Sequence, residues 1–202
     1  MRTRSARRGV AILLAATALL SGCASDPLAE QYRSGSGKGY IAGDGTVETF
    51  PADERKTPDE FGGETVDGDE LSSTDLVGSV TVLNFWYASC PPCRVEAPDL
   101  EALNQELGAD GVRFVGVNVR DEAGTAASFE EDTGVTYPSI LDFRTADVQL
   151  AFSTSIPPNA VPTTLVLDQQ GRIAARILGQ VTEPGILRSI VRDTLAEGDP
   201  AP

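Results

Sequence analysis

Hydrophobic positions along the chain alternate between short continuous apolar runs and longer stretches in which apolar residues return every three or four positions. Val80-Thr81-Val82-Leu83-Asn84-Phe85-Trp86 is apolar throughout except at Thr81 and Asn84, the pattern of a strand covered on both faces. From about Pro91 to Leu107 the spacing of Leu100, Leu103 and Leu107 predicts a helix, with Pro92 suited to its first turn and Pro98 expected to kink it. Arg113 to Val119 reads as a second strand, followed by a helix from Glu122 to Thr133 with Asp121 as its N-cap and Gly134 closing it. Pro138 to Leu141 is a short strand, Ala146 to Phe152 a short helix and Pro157-Pro158-Asn159 a rigid loop. Thr163 to Asp168 and Arg172 to Leu178 flank Gln169-Gln170-Gly171 as an antiparallel pair. The last helix, Glu183 to Leu195, turns Leu187, Ile190, Val191 and Leu195 inward. Ahead of all these, Phe61 to Leu71 alternates around Asp67-Gly68, a hairpin signal. The order predicts an α/β fold, a central mixed β-sheet flanked by helices, with an N-terminal hairpin.

The first residues follow a different pattern. Arg2, Arg4, Arg7 and Arg8 precede the apolar stretch Val10 to Leu20, which is too short for the ~20 residues that span a bilayer and reads as an export signal. Leu20-Ser21-Gly22-Cys23 resembles the bacterial lipobox, which implies cleavage before Cys23 and acylation of that cysteine, a lipid anchor. The alternative is ordinary cleavage, with Cys23 left as a free thiol. Ser25 to about Pro58 is rich in Gly, Ser, Asp and Glu and reads as a flexible coil. The expected organisation is therefore a lipoprotein signal peptide at 1–22, a flexible tether at 23–58, one folded domain at 59–197 and a tail at 198–202.

Charge and composition narrow the function. Loss of residues 1–22 removes four arginines and takes the net charge from −14 to −18. So acidic a body repels nucleic acid and favours basic partners. The chain has no histidine, which excludes histidine bases, histidine metal sites and Cys-x-x-Cys-His haem attachment. With Cys23 acylated, only two of the three cysteines remain, too few for a four-cysteine zinc site, and no cofactor is called for.

Those two, Cys90 and Cys93 of Cys90-Pro91-Pro92-Cys93, lie where the buried strand meets the helix. A thiolate at a helix N-terminus is stabilised by the helix dipole and free amides, so Cys90 is assigned as the attacking thiol and Cys93 as the resolving one. A static structural disulfide is the bland alternative, though so short a loop removes little unfolded-state entropy. Pro91 and Pro92 have no N–H to offer Cys90, so a more reducing couple is expected than with ordinary residues there.

With Asn84-Phe85-Trp86 before the motif, Arg94 and Glu96-Ala97-Pro98 after it, and Val161-Pro162-Thr163-Thr164 before a strand, the chain from about Phe61 to Leu195 resembles extracytoplasmic thioredoxin-like proteins of the TlpA/ResA family. The resemblance implies a thioredoxin-like fold with a central insert. It also implies a cis Val161-Pro162 peptide facing the cysteines, with the Val161 backbone pairing with substrate. Trp86 and Tyr87 read as core and groove wall that support the substrate site, not as catalytic groups. Glu96 matches a carboxylate that tunes the cysteines, and its i, i+3 offset from Cys93 sets both on one helix face. Burial should raise its pKa and suit it to proton handling. Two departures matter: Asn84 stands where cytoplasmic-type thioredoxins have a buried aspartate, and Ser89 where many relatives have tryptophan.

The implied activity is that of a thiol-disulfide oxidoreductase tethered to the outer face of the bacterial cytoplasmic membrane. Its implied partners are disulfide-bearing exported proteins such as apocytochrome c, and a membrane thiol reductase of the CcdA/DsbD type. Oxidative folding is the alternative within that chemistry. A Cu(I) chaperone is disfavoured by the lack of histidine and of clustered methionine, and a peroxidase by the lack of a Thr-x-x-Cys site. A redox-inert binding lipoprotein is the remaining class.

Overall fold

The computed structural model describes residues 46–157 and 160–198. The expected signal peptide, the Cys23 anchor, the first part of the tether, Pro158-Asn159 and residues 199–202 lie outside the described residues. A six-stranded mixed sheet has the order β1-β8-β7-β4-β5-β6, with β1 Thr46–Thr49, β4 Thr81–Trp86, β5 Arg113–Asn118, β6 Ser139–Leu141, β7 Thr163–Leu167 and β8 Ile173–Leu178. β4, β5 and β6 run parallel, and β7 returns antiparallel to β4. β2 (Gly62–Glu64) and β3 (Glu70–Ser72) form the separate hairpin expected around Asp67-Gly68. The helices are α1 Pro91–Gly108, α2 Ala123–Thr133, α3 Asp147–Ala151 in the central insert, and α4 Pro184–Gly198.

The period of two along β4 explains how one strand serves two layers. Val82 faces Leu100, Leu103 and Leu107 of α1 and Leu187 and Val191 of α4. Leu83 and Phe85 face the other way, into a cluster with Phe61, Leu71, Leu76 and Phe152 of the hairpin and insert. β7 obeys the same alternation, Val166 joining the first cluster and Leu165 and Leu167 the second. Position 84 thus points toward α1 although it is polar.

Gly116 of β5 is required by a close approach. A Cβ there would lie 2.7 Å from Trp86 Nε1 and nearer still to Ser139 Oγ. Gly116→Ala is expected to lower stability by about 1–3 kcal/mol through overpacking, read as a lower denaturation midpoint at unchanged m-value.

Regular structure begins earlier than the sequence suggested. Instead of remaining coil to residue 58, the chain forms β1, an edge strand pairing Thr46 with Leu178 through Thr49 with Ala175. Beyond it the Phe50 N–H donates to the Ala174 carbonyl (2.8 Å) and the Ile173 N–H to the Lys56 carbonyl (3.0 Å). The outer edge of β8 carries backbone groups that need partners, and a polar strand satisfies them as well as an apolar one. Arg55 secures the segment, its nearly buried guanidinium meeting Asp168 (3.2 Å) and Glu197 (2.6 Å).

The Asp142 carboxylate accepts the N–H groups of Val148 (2.9 Å) and Gln149 (3.0 Å) in the first turn of α3. Asp121 does not cap α2. Glu122 holds the cap position without a side-chain bond, while the Asp121 carboxylate accepts from the Ala88 N–H (2.6 Å) and from Asn118 Nδ2 (2.9 Å). It pins the loop that leads from β4 to the cysteines.

Candidate active site

β4 ends at Trp86, and the chain turns through Tyr87-Ala88-Ser89 to place Cys90 at the N-cap of α1 and Cys93 in its first turn. The two are joined in a disulfide. Both cysteines are buried, so exposure does not distinguish the attacking sulfur from the resolving one. Position does: Cys90 occupies the cap, and its sulfur accepts the Cys93 N–H at 3.3 Å. Pro91 and Pro92 have no amide hydrogen, and the Arg94 N–H is taken by the Cys90 carbonyl at 3.2 Å. Restoring an N–H by Pro91→Ala or Pro92→His is therefore expected to favour the thiolate-bearing reduced form. The reduction potential should rise by on the order of 30 mV, measured by redox titration beside the wild type, and a fall would contradict this reading.

Around the disulfide lie Trp86, Tyr87, Ala97, Ala126, Phe129 and Val161. Val161-Pro162 is cis, and Val161 borders the cysteines, as the resemblance implied. Trp86 is buried and stacked on Phe129 with ring centroids 4.2 Å apart. It backs the cysteine segment from inside, in the core part of the supporting role read from the sequence. A groove of about 360 Å³ does open beside Val161, bordered by Phe85, Arg120, Phe143, Leu150 and Ile156. Phe143 and Leu150 are among the exposed large hydrophobics.

Glu96 lies one turn after Cys93 on α1 and is 0 % exposed. Its Oε1 accepts from Asn84 Nδ2 at 2.9 Å and its Oε2 from the Val181 N–H at 2.7 Å. Burial outweighs these two donors and pushes the carboxyl up from its ordinary 4.5 to about 7. Asn84 also donates to Thr164 Oγ1 at 3.1 Å. Tyr137 is held neutral by burial, reinforced by Glu96, Glu101 and Glu130.

Of the residues singled out from the sequence, the structure gathers Cys90, Cys93, Trp86 and Val161 in one cluster, with Pro162 adjoining it and Glu96 buried on the same helix. The sequence reading missed Asp121 as the clamp on Ala88, and Asn84, Thr164 and Val181 as the surroundings of Glu96. Asn84 had a visible signal, a polar residue in a run buried on both faces. Val181 had none, because a backbone donor leaves no mark in sequence.

A family model described as Redoxin matches residues 49–194. The thiol-disulfide oxidoreductase ResA of Halalkalibacterium halodurans is 30% identical over 120 residues, covering 59% of this chain and 65% of the relative. The thiol:disulfide interchange protein HelX of Rhodobacter capsulatus is 36% identical over 113 residues, covering 56% and 60%. In both, the match spans less than two thirds of the relative's length. Among solved structures, a DsbF homologue from Corynebacterium diphtheriae superposes with a TM-score of 0.65 at 39% identity, covering 75% of this chain and 94% of that one. A secreted thiol-disulfide isomerase from Corynebacterium glutamicum gives 0.68 at 31%, covering 78% and 96%. The family match runs from the end of β1 into α4, across both layers and the disulfide, and on that ground the chain belongs to the Redoxin family, with a thioredoxin-like fold.

Proposed function

We propose that this protein is a thiol-disulfide oxidoreductase that works by opening and closing Cys90–Cys93. The observation that carries the reading is a disulfide at a helix N-cap with a buried glutamate on the same helix, poised near neutral pH. In the reducing direction the Cys90 thiolate attacks a substrate disulfide, forming a mixed disulfide and releasing one substrate thiolate, which takes a proton. Cys93 gives up its proton and attacks Cys90 sulfur, expelling the second substrate thiolate and leaving Cys90–Cys93 oxidised. Glu96 handles the proton from Cys93, Val161-Pro162 carries the substrate backbone, and an external dithiol restores the reduced pair.

The reading extends to location and partners. Cys23, acylated, anchors the domain at the outer face of the cytoplasmic membrane, and the segment between Cys23 and β1 serves as tether. Among the described residues no helix is long and apolar enough to cross a membrane. The substrates are exported proteins with disulfides, apocytochrome c among them, and the electrons come from a membrane thiol reductase of the CcdA/DsbD type. The names of the ResA and HelX relatives support the exchange chemistry, and the acidic body suits a basic substrate.

A second reading, disulfide formation or isomerisation in secreted proteins, is favoured by the likeness to the C. glutamicum isomerase. One experiment separates the two. Cys93→Ala, expressed in the native host, should hold substrates on Cys90 as mixed disulfides. Capture of apocytochromes supports the reductive role, whereas capture of many secreted proteins together with a membrane oxidase supports the other.

A further inference from the structure

The surroundings of Glu96 contain a side chain whose chemistry fits both of that carboxyl's protonation states. β4 and β7 pair Asn84 directly with Thr164, and the alternation of both strands turns these two residues toward α1. One nitrogen, Asn84 Nδ2, donates to Glu96 Oε1 at 2.9 Å and to Thr164 Oγ1 at 3.1 Å. Asn84 is 4 % exposed and Thr164 and Glu96 are 0 % exposed, so bulk water does not replace a lost partner.

An ionised carboxylate only accepts hydrogen bonds, whereas a protonated one must also donate through one oxygen. Oε2 faces the Val181 N–H, a backbone donor that cannot reverse, so the proton belongs on Oε1. There it would meet the Asn84 NH₂, donor against donor. A half-turn of the amide instead presents Oδ1, which accepts from the Glu96 O–H. The Thr164 hydroxyl, an acceptor before the turn, rotates to donate to the same Oδ1. Both contacts of Asn84 survive the change with their directions reversed.

We propose that Asn84 is the positioning residue for Glu96, its amide turning over as that carboxyl gains or loses a proton, with Thr164 relaying the turn to the Val161-Pro162-Thr163 segment beside the cysteines. The relay is short, because Thr163 and Thr164 open β7 directly after Pro162. The other ionisable neighbours do not dictate the state of Glu96. Burial, Val181 and Asn84 are the causes of its shift, Tyr137 is held neutral, and the cysteines are tied up in the disulfide. The coupling itself needs only the folded chain; its catalytic meaning rests on the exchange chemistry proposed above.

The test is an NMR titration of the Glu96 carboxyl carbon and the Asn84 side-chain amide in the oxidised full-length protein. It is run for the wild type, Asn84→Leu, Thr164→Val and Thr164→Ser, with the pH profile of exchange measured alongside. The Asn84 amide resonances should move with the same midpoint as Glu96. Loss of the donor to the anion should raise the Glu96 midpoint by about one pH unit in Asn84→Leu. Thr164→Val should raise it by less, Thr164→Ser should restore it, and the exchange profile should follow each shift. Asn84 resonances that stay still through the Glu96 titration, or a Thr164→Val midpoint equal to wild type, would overturn the proposal. Should Asn84→Leu fail to fold, the two Thr164 variants decide. Coupled titration in a protein without exchange activity would uphold this inference and count against the proposed function.

Discussion

Cys90→Ala is expected to abolish disulfide exchange, bringing the rate down to that of buffer, while Cys93→Ala keeps the first half-reaction and stalls as a mixed disulfide. The asymmetry comes from position on α1. Cys90 sits at the N-cap, where the helix dipole and the Cys93 N–H favour its thiolate, and Cys93 lies inside the first turn. Since the oxidised cysteines are equally buried, the claim rests on those donors and not on access. Stopped-flow assay of both variants against a small disulfide, with mass spectrometry for the adduct, checks it; an adduct on Cys93 in Cys90→Ala would reverse the assignment. Either variant also loses the cross-link, which over so short a loop stabilises by about 2 kcal/mol, so circular dichroism at the assay temperature must accompany the rates.

The second large effect is that of Glu96→Gln. The wild-type carboxyl, pushed up to about 7 by burial from an ordinary 4.5, keeps its proton in the folded chain at pH values where the unfolded chain has lost it. The resulting stabilisation is fully present below about pH 4.5 and is lost as pH rises to about 7, a fall of about 3 kcal/mol, after which the curve is flat. Glutamine does not titrate, so the variant should lack this slope and exceed the wild type most above pH 7. Urea denaturation across pH 4 to 8 reads it, and parallel curves would remove the buried ionisation. In catalysis the same substitution should slow resolution of the mixed disulfide by about a hundredfold and flatten its pH profile. An unchanged profile would take Glu96 out of the mechanism.

What the sequence made legible and what it hid have physical causes. β4 and α1 were readable because burial on both faces of a strand and on one face of a helix leaves a periodic mark over adjacent residues. β1 leaves none: its residues are exposed, and backbone pairing with β8 together with the Glu48–Arg176 ion pair holds it, so Thr46–Thr49 read as part of a polar, Gly- and Ser-rich stretch. Asp121 had the local spelling of an N-cap, but its carboxylate is drawn to the Ala88 N–H, a contact across 33 residues that outcompetes the local one. Cys90, Cys93 and Glu96 were found because the chemistry sits on one short motif. The environment that sets the Glu96 proton comes from Asn84, itself bonded to Thr164 80 residues further on, and from Val181 in the loop before α4, 85 residues from Glu96, and such contacts have no local pattern to read.

The measurement that bears most directly on the redox role of Cys90 and Cys93 is equilibration of the folded protein in glutathione buffers of graded poise, followed by alkylation and peptide mapping. The account predicts one reversible two-electron transition in which Cys90 and Cys93 gain and lose the label together. A pair that stays oxidised across the whole range and opens only when the protein is denatured would make the disulfide structural and contradict the account.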